Sequence, residues 1–263
     1  MESKKFGLVI LAAGDATRLN LQQPKACVEI FGISLLERLM AKTTNPIAIM
    51  TSKTNYQKII EHLEKKNLMR SNVIVFQQSC KPYLVGTGEN PCGNGDLFRA
   101  FVHSKAFETF ALWNVCRVVV CPIDNPLADP KLDCLHEDYD LNVLGIEKLE
   151  GESVGTLILE DKLSVVEYTK SKTQHGLGYS GIFSATMDFF YRAYLHDSQV
   201  PFHHVEKNVG NQKVIKLEKF IFDFFALAKS YRVVKIDRNQ FFLPIKNLTG
   251  ADSLEVALQR LKS

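Results

Sequence analysis

Hydrophobic positions follow two rhythms along this chain. In the first, runs of branched apolar residues alternate with segments of helical spacing. Phe6–Leu11 (FGLVIL), Pro46–Thr51 (PIAIMT), Asn72–Phe76 (NVIVF) and Val115–Cys121 (VCRVVVC) read as buried strands, apolar on both faces. Between them, Ile33–Met40 and Asn55–Lys66 carry the three-and-four spacing of helices, the second with an exposed polar side. Strand, helix, strand, helix in this order predicts a parallel sheet with right-handed crossovers. From Asn142 to Phe183 the rhythm shortens. The runs NVLGIEK, GTLILED, LSVVEYTK and GYSGIFSA alternate with turns and predict antiparallel strands, a second sheet region. Leu217–Lys229 (LEKFIFDFFALAK) is apolar on most sides and predicts a buried helix, in which Asp223 needs a partner. Thr186–His196 and Ser253–Lys262 predict helices, Tyr231–Ile236 a strand, and Phe241–Asn247 a loop bearing one cation, Lys246.

Ligands of such sheets bind beyond the carboxyl ends of the strands. The polar residues there are Gly14–Lys25, Gln77-Gln78 and Asp124-Asn125. After Leu11 the chain turns into Ala12, Ala13, Gly14, Asp15, Ala16 and Thr17, then the cations Arg18 and Lys25. Small side chains let backbone N–H groups approach phosphate oxygens, and cations neutralise them. Taken alone, this stretch is equally compatible with an ordinary loop and two solvated cations. Ser79–Gly95 loses periodicity and predicts a long loop, which ends in Gly93-Asn94-Gly95-Asp96 before the helical run LFRAFVHSKAF. Asn-Gly suits a hairpin, but the immediate helix favours a ligand-facing helix start. Asp124, ending the clearest buried strand, suits Mg²⁺ or a ribose, with a helix N-cap before Pro126 as the plain alternative. His203-His204 read as surface loop residues rather than metal ligands.

Composition narrows this picture. The 263 residues suffice for one large α/β domain, and 46% hydrophobic with 23% charged residues is ordinary globular chemistry. A net charge of +3 does not argue for nucleic acid or an anionic membrane, and no apolar run has the length of a membrane helix. The six cysteines show neither a CxxC pair nor zinc spacing, so reduced cysteines in a cytoplasmic protein are expected.

The ordered motifs resemble a known family. LAAGDATRLNLQQPK is similar to the LAGGxGTRLGxxxPK signature of nucleotidyltransferases that make nucleoside-diphosphate sugars. FQQ (Phe76–Gln78), GNGDLFRAF (Gly93–Phe101), IDNPLADP (Ile123–Pro130), VVEY (Val165–Tyr168), LEKFIFDFF (Leu217–Phe225) and FFLPIKN (Phe241–Asn247) resemble the UDP-N-acetylhexosamine and UDP-sugar pyrophosphorylases, in the family's order. EKFIFDFF and PIKN favour the N-acetylhexosamine branch. The resemblance implies an α/β, Rossmann-like nucleotide-diphospho-sugar transferase fold, a mixed, mostly parallel sheet with an inserted antiparallel sugar-binding sheet. It implies one domain over residues 1–263, with a nucleotide half over about 1–135 and a sugar half over about 140–250. The implied reaction joins UTP and a sugar 1-phosphate, N-acetylglucosamine 1-phosphate foremost, with Mg²⁺. Glucose 1-phosphate or another hexose 1-phosphate is the alternative acceptor, and a catalytically weak UDP-sugar binder the alternative of another class. Carried over by position, Ala12, Ala13, Gly14 and Thr17 would hold the nucleotide, with Arg18, Lys25 and Lys246 on the phosphates. Gln77, Gly93 and Asn94 would meet uracil and ribose, Asp124 the metal, and Gly155 and Glu167 the sugar. For Glu167 a solvent-facing strand position is the plain reading. Three departures stand out: Ala16 and Asn20 replace two glycines of GTRLG, Asp96 ends GNGG, and Tyr179-Ser180-Gly181-Ile182 stands at the family's NAGN.

Overall fold

The computed structural model describes residues 5–167, 176–210 and 212–262. The first half delivers the predicted alternation. β1 (Lys5–Leu11) is followed by two short pairing strands, β2 (Glu29–Ile30) and β3 (Ile33–Ser34), and by α1 (Leu35–Met40). Ser34 caps α1 in a capping box: its hydroxyl accepts from the Glu37 N–H, and the Glu37 carboxylate accepts from the Ser34 N–H. β4 (Ile47–Thr51), α2 (Tyr56–Lys65) and β5 (Val73–Gln77) continue it. β6 (Cys80–Pro82) and β7 (Glu89–Pro91) form a small hairpin, then α3 (Leu97–His103) and α4 (Ala106–Leu112) lead to β8 (Val115–Pro122). The second half contributes β9 (Leu141–Glu147), β10 (Thr156–Leu159), β11 (Leu163–Val166), β12 (Leu177–Thr186) and α5 (Met187–Leu195). β13 (His203–Val209) and β14 (Gln212–Glu218) make a second hairpin, before β15 (Tyr231–Lys235), α6 (Arg238–Phe241) and α7 (Leu254–Arg260).

Nine strands form one mixed sheet in the order β11-β10-β12-β8-β1-β4-β5, with β9 beside β12 and β15 beside β9. β4, β1 and β8 are parallel neighbours, as are β4 and β5. Period-two alternation then sorts their side chains onto two faces. Leu8, Ile10, Ile47, Ile49, Val119 and Cys121 enter one core, whereas Val9, Ala48, Met50, Val118 and Val120 enter the other. The second core is rich in fully buried aromatics, with Phe98 packed against Phe189, Phe190 and Phe224 at ring separations of 4.7–5.8 Å. Layers on both sides explain why these strands read as continuous apolar runs. Because β1, β4, β5 and β8 run in parallel, their carboxyl ends share one edge, and the loops after them meet there.

The structure corrects several expectations. The antiparallel strands do not form a sheet of their own: Phe183–Thr186 of β12 pair with Val120–Arg117 of β8, so the same sheet simply continues. Ser79–Gly95 is not structureless, since it contains the β6–β7 hairpin. LFRAFVHSKAF is two helices, broken where Lys105 takes a left-handed φ of 65°. Leu217–Lys229 is not one helix either. Leu217 and Glu218 end β14, and a 3-10 turn covers only Ile221–Leu227. The Lys219 N–H donates to Cys92 O and the Gly95 N–H to Lys219 O, which holds the chain extended before the turn. Asp223 does have its partners, His203 Nε2 at 3.0 Å and the Phe220 N–H at 2.9 Å. His203 and His204 lie in a strand rather than a loop. Within VVEY, Tyr168 lies outside the described residues.

Candidate active site

The turn after β1 is pinned from both sides. Asn55, fully buried at the head of α2, donates from Nδ2 to Ala12 O at 3.1 Å, and the Ala12 N–H donates to Met50 O at 2.8 Å. The Lys25 N–H donates to Gly14 O and the Ala16 N–H to Gln23 O. These bonds leave the N–H groups of Ala13, Gly14 and Asp15 without a partner among the described residues, as an anion-binding turn requires. The glycine replacements fit without strain. Ala16 has φ −85° and packs into the core, while Asn20 occupies the left-handed region at φ 54°, which asparagine tolerates. Thr17 and Arg18 form an exposed 3-10 turn just beyond.

Ala13, Gly14 and Lys25 line a cavity of about 400 Å³ with Met50, Gln78, Asn90, Gly93, Asn94 and Asp124. Ala12 lies beneath it, fully buried. Lys25 Nζ stands 3.7 Å from Asp124 Oδ2, an attraction without a hydrogen bond, and both side chains keep access to the cavity. Asp124 is placed by its neighbours: its carbonyl accepts from the Ile245 N–H at 2.8 Å. Next to it, buried Asn125 bonds Phe241 O and the Leu127 and Leu243 N–H groups. No group of three metal-ligating side chains occurs among the described residues. Of the two carboxylates that line the cavity, Glu218 is paired with Lys216, which leaves Asp124. One such carboxylate suits Mg²⁺, which keeps waters and takes its other oxygens from substrate phosphates.

The base-facing wall departs from expectation by one residue. Gln77 is exposed and lines a shallow surface with Val75, His103 and Ser104, away from the cavity. Gln78 is the residue that faces in, since strand side chains alternate. It is 7% exposed, and its Oε1, itself buried, has no hydrogen-bond partner among the described residues. Gly93, at φ 86°, brings the wall close: a Cβ there would lie 2.5 Å from Lys219 O. Asn94 accepts from the Ile221 N–H at 3.0 Å. Asp96 does not approach the ligand cavity. It is 4% exposed, accepts from the Ser79 N–H at 2.6 Å and pairs with Arg99.

Two cations were not foreseen. Lys207 and Lys216, with Glu218, line the cavity from the β13–β14 hairpin. The register places Lys207 opposite the buried Val214, so both project on the inward face. The alternation in HVEKNV and KVIKLE carries that signal, once the segment is read as two strands.

Arg18 and Lys246 stand in a neighbouring cavity of about 530 Å³ with Glu152, Arg238 and Asp252. There two of the three cations are already matched, and Arg18 has no carboxylate partner among the described residues. Lys246 Nζ binds Asp252 at 2.9 Å, and the Arg238 guanidinium forks onto Glu152. Gly155 and Glu167 line neither cavity; Gly155 O accepts from the Tyr179 N–H, and its missing Cβ makes room for Val165. Every cysteine is free. Burial pushes the thiols of Cys27 and Cys92 up to about 11 and Cys121 to about 12, so none of these three is a nucleophile near neutral pH.

No family model matches the chain. It is 29% identical, over 96% of its length and 83% of the relative's, to a probable UDP-N-acetylglucosamine pyrophosphorylase of Encephalitozoon cuniculi. A protein of the same description from Caenorhabditis elegans is 28% identical over 97% of this chain, which spans 66% of that relative. Among solved structures, the uridine diphosphate N-acetylglucosamine pyrophosphorylase of Trypanosoma brucei superposes with a TM-score of 0.86 at 21% identity, covering 98% of this chain and 65% of that one. UDP-glucose pyrophosphorylase of Leishmania major superposes with a TM-score of 0.77 at 15% identity, over 92% and 64%. The chain has the fold of the UDP-sugar pyrophosphorylases and is similar in sequence, over nearly its whole length, to those described as UDP-N-acetylglucosamine pyrophosphorylases.

Proposed function

We propose that this chain is a uridylyltransferase that joins UTP to a sugar 1-phosphate, N-acetylglucosamine 1-phosphate foremost, and releases pyrophosphate. One observation carries the reading. Lys25, Asp124, Gln78 and the N–H groups of Ala13 and Gly14, which have no partner among the described residues, meet in one cavity. The likeness to curated pyrophosphorylases supports it.

In this reading the uracil lies against Gln78 and Gly93. The Ala13–Gly14 backbone receives phosphate oxygens, and Lys25 approaches the α-phosphate. The sugar phosphate oxygen attacks that phosphorus in line, and pyrophosphate leaves on the opposite side, toward Arg18 and Lys246 in the adjoining cavity. Such transfers need positioning and charge neutralisation rather than a protein nucleophile. Asp124 would hold Mg²⁺ together with phosphate oxygens, and the ion would neutralise the charge that gathers as the phosphates crowd together. Lys207 adds positive charge from the hairpin wall, whereas Lys216 there is paired with Glu218. Gly155 and Glu167 remain assigned to the sugar half by resemblance. We place the protein in the cytoplasm, on its six free cysteines; no helix of the described residues is long and apolar enough to cross a membrane.

A second acceptor, glucose 1-phosphate, is favoured by one feature. The segment Tyr179–Ile182 has no asparagine, and the buried Ser180 Oγ is already bonded to Leu144 O and the Ile182 N–H. The segment supplies no side-chain amide to an N-acetyl group. Initial rates with both sugar 1-phosphates decide between them: a higher kcat/KM for the N-acetylated sugar upholds the first reading, and the reverse replaces it.

A further inference from the structure

Among the described residues that line the cavity beside β1, Tyr83 is the only aromatic one. It falls between the motifs FQQ and GNGDLFRAF. The β6–β7 hairpin sets its place. Lys81 pairs with Asn90 and Pro82 with Glu89, and the Tyr83 N–H donates to Gly88 O at 3.1 Å, which extends the register by one pair. Side chains alternate along a strand, so Tyr83 leaves the hairpin on the face of Asn90, the cavity face. Glu89 leaves on the other and meets Lys53. The Leu84 N–H donates to Ile215 O at 2.7 Å, which ties this end of the hairpin to β14. Gly88, at φ 106°, lies against the ring: a Cβ there would sit 3.2 Å from Tyr83 Cε2. The side chain is part-buried, and its hydroxyl makes no hydrogen bond among the described residues. A ring whose backbone is held on both sides and which borders an open cavity is a surface for another flat ring.

We infer that Tyr83 is a substrate-binding residue whose ring stacks on the uracil of the nucleotide. The inference rests on the uridylyltransferase reading, and the chemistry of the two halves of UTP leads to it. The triphosphate is held by charge and backbone donors, at Lys25 and the N–H groups of Ala13 and Gly14, all on the turn after β1. The base is neutral and flat, so its faces gain most from an aromatic surface. Gln78 brings an amide to the wall and Gly93 bare backbone, and neither has a ring. Tyr83 stands on the same wall, five residues after Gln78 and across the hairpin from Gly88. Stacking accepts any base, because every base has a π face. Tyr83 therefore selects a nucleotide over an inorganic polyphosphate, and the polar groups of the wall select among bases.

The test is equilibrium binding by calorimetry, in Mg²⁺, of UTP and of inorganic tripolyphosphate to the wild type, Tyr83→Phe, Tyr83→Leu and Tyr83→Ala. Tyr83→Ala should weaken UTP about tenfold, the loss expected when a base-stacking ring is removed, and leave tripolyphosphate as it was. Tyr83→Phe keeps the ring and should bind UTP as the wild type does. Tyr83→Leu keeps apolar bulk without the ring and should bind UTP more weakly than Tyr83→Phe. Wild-type affinity for UTP in Tyr83→Ala overturns the inference and leaves the uridylyltransferase reading intact. So does a loss that tripolyphosphate shares equally, which marks a distorted cavity. Equal affinities in Tyr83→Leu and Tyr83→Phe overturn it too, since they mark apolar packing rather than stacking. Failure of the wild type to bind UTP at all defeats both.

Discussion

The two adjoining cavities each hold a lysine from a sequence motif, Lys25 in one and Lys246 in the other, in opposite states. In the one beside β1, Lys25 has a carboxylate only at 3.7 Å, and among the described residues the buried amide oxygens of Gln78 and Asn90 have no partner. In the other, Lys246 is bonded to Asp252 and Arg238 to Glu152. A cation already matched by its own carboxylate has less to offer an incoming phosphate than one that is not, because binding must first displace the partner. The difference ranks residues that their sequence motifs put on an equal footing.

The largest effect expected of that ranking lies at Lys25. Lys25→Ala should lower kcat about a thousandfold, the loss typical of removing a group that meets charge in the transition state, with the melting temperature unchanged. Lys246→Ala should cost only about tenfold in steady-state rates. Equal losses in the two variants would erase the distinction between the cavities.

Carboxylates divide in the same way. Asp140 is fully engaged, accepting from the Thr186 hydroxyl, the Lys229 N–H and Arg192. Burial raises its pKa, but these hydrogen bonds and the Arg192 charge outweigh that and hold it below the ordinary carboxylate value. A lowered folded value stabilises the fold above the unfolded pKa, near 4, and that contribution is lost as pH falls through the folded value. Asp140→Asn should therefore cost about 2 kcal/mol at pH 7 and flatten the acid limb of a melting-temperature profile below about pH 4. An unaltered acid limb would mean that Asp140 is not among the groups that set it.

Gln77 and Gln78 give a smaller and sharper contrast. Gln78→Ala should raise the KM for UTP about tenfold, and Gln77→Ala should leave it unchanged. The reverse outcome would restore the residue that the motif first suggested. The smallest effect concerns Asp96, which departs from the family's glycine. Because it holds the Ser79 N–H and Arg99 away from the cavity, Asp96→Gly should lower stability by about 1 kcal/mol and leave turnover as it was. Faster turnover in that variant would mean that Asp96 reaches the ligand after all.

These contrasts show where sequence reading succeeded and where it stopped. The buried parallel strands were legible because layers on both faces leave an unbroken apolar run, as in Val115–Pro122. Lys25 and Asp124 were legible as polar residues at the ends of such strands. Gln78 was not separated from Gln77, since a one-residue step reverses the facing of a strand and the pair is chemically identical. Lys207 and Lys216 were missed because the second hairpin stands outside the sheet, and its mixed, charged alternation resembles a surface loop. The helix expected over Leu217–Lys229 failed because Gly93 and Gly95 admit the backbone of Lys219 and Phe220, a contact distant in sequence. Whether a side chain is satisfied, as Lys246 is and Asn90 is not, depends on such contacts and has no local signature.

The measurement that meets the central claim most directly is pyrophosphate release by the purified chain with UTP, Mg²⁺ and a panel of sugar 1-phosphates. The account predicts release that requires both UTP and a sugar 1-phosphate, with N-acetylglucosamine 1-phosphate the best acceptor, and that falls about a thousandfold in Lys25→Ala. Measurable UDP-sugar binding with no release from any member of the panel would contradict it, and would leave a cavity that holds a nucleotide sugar without making one.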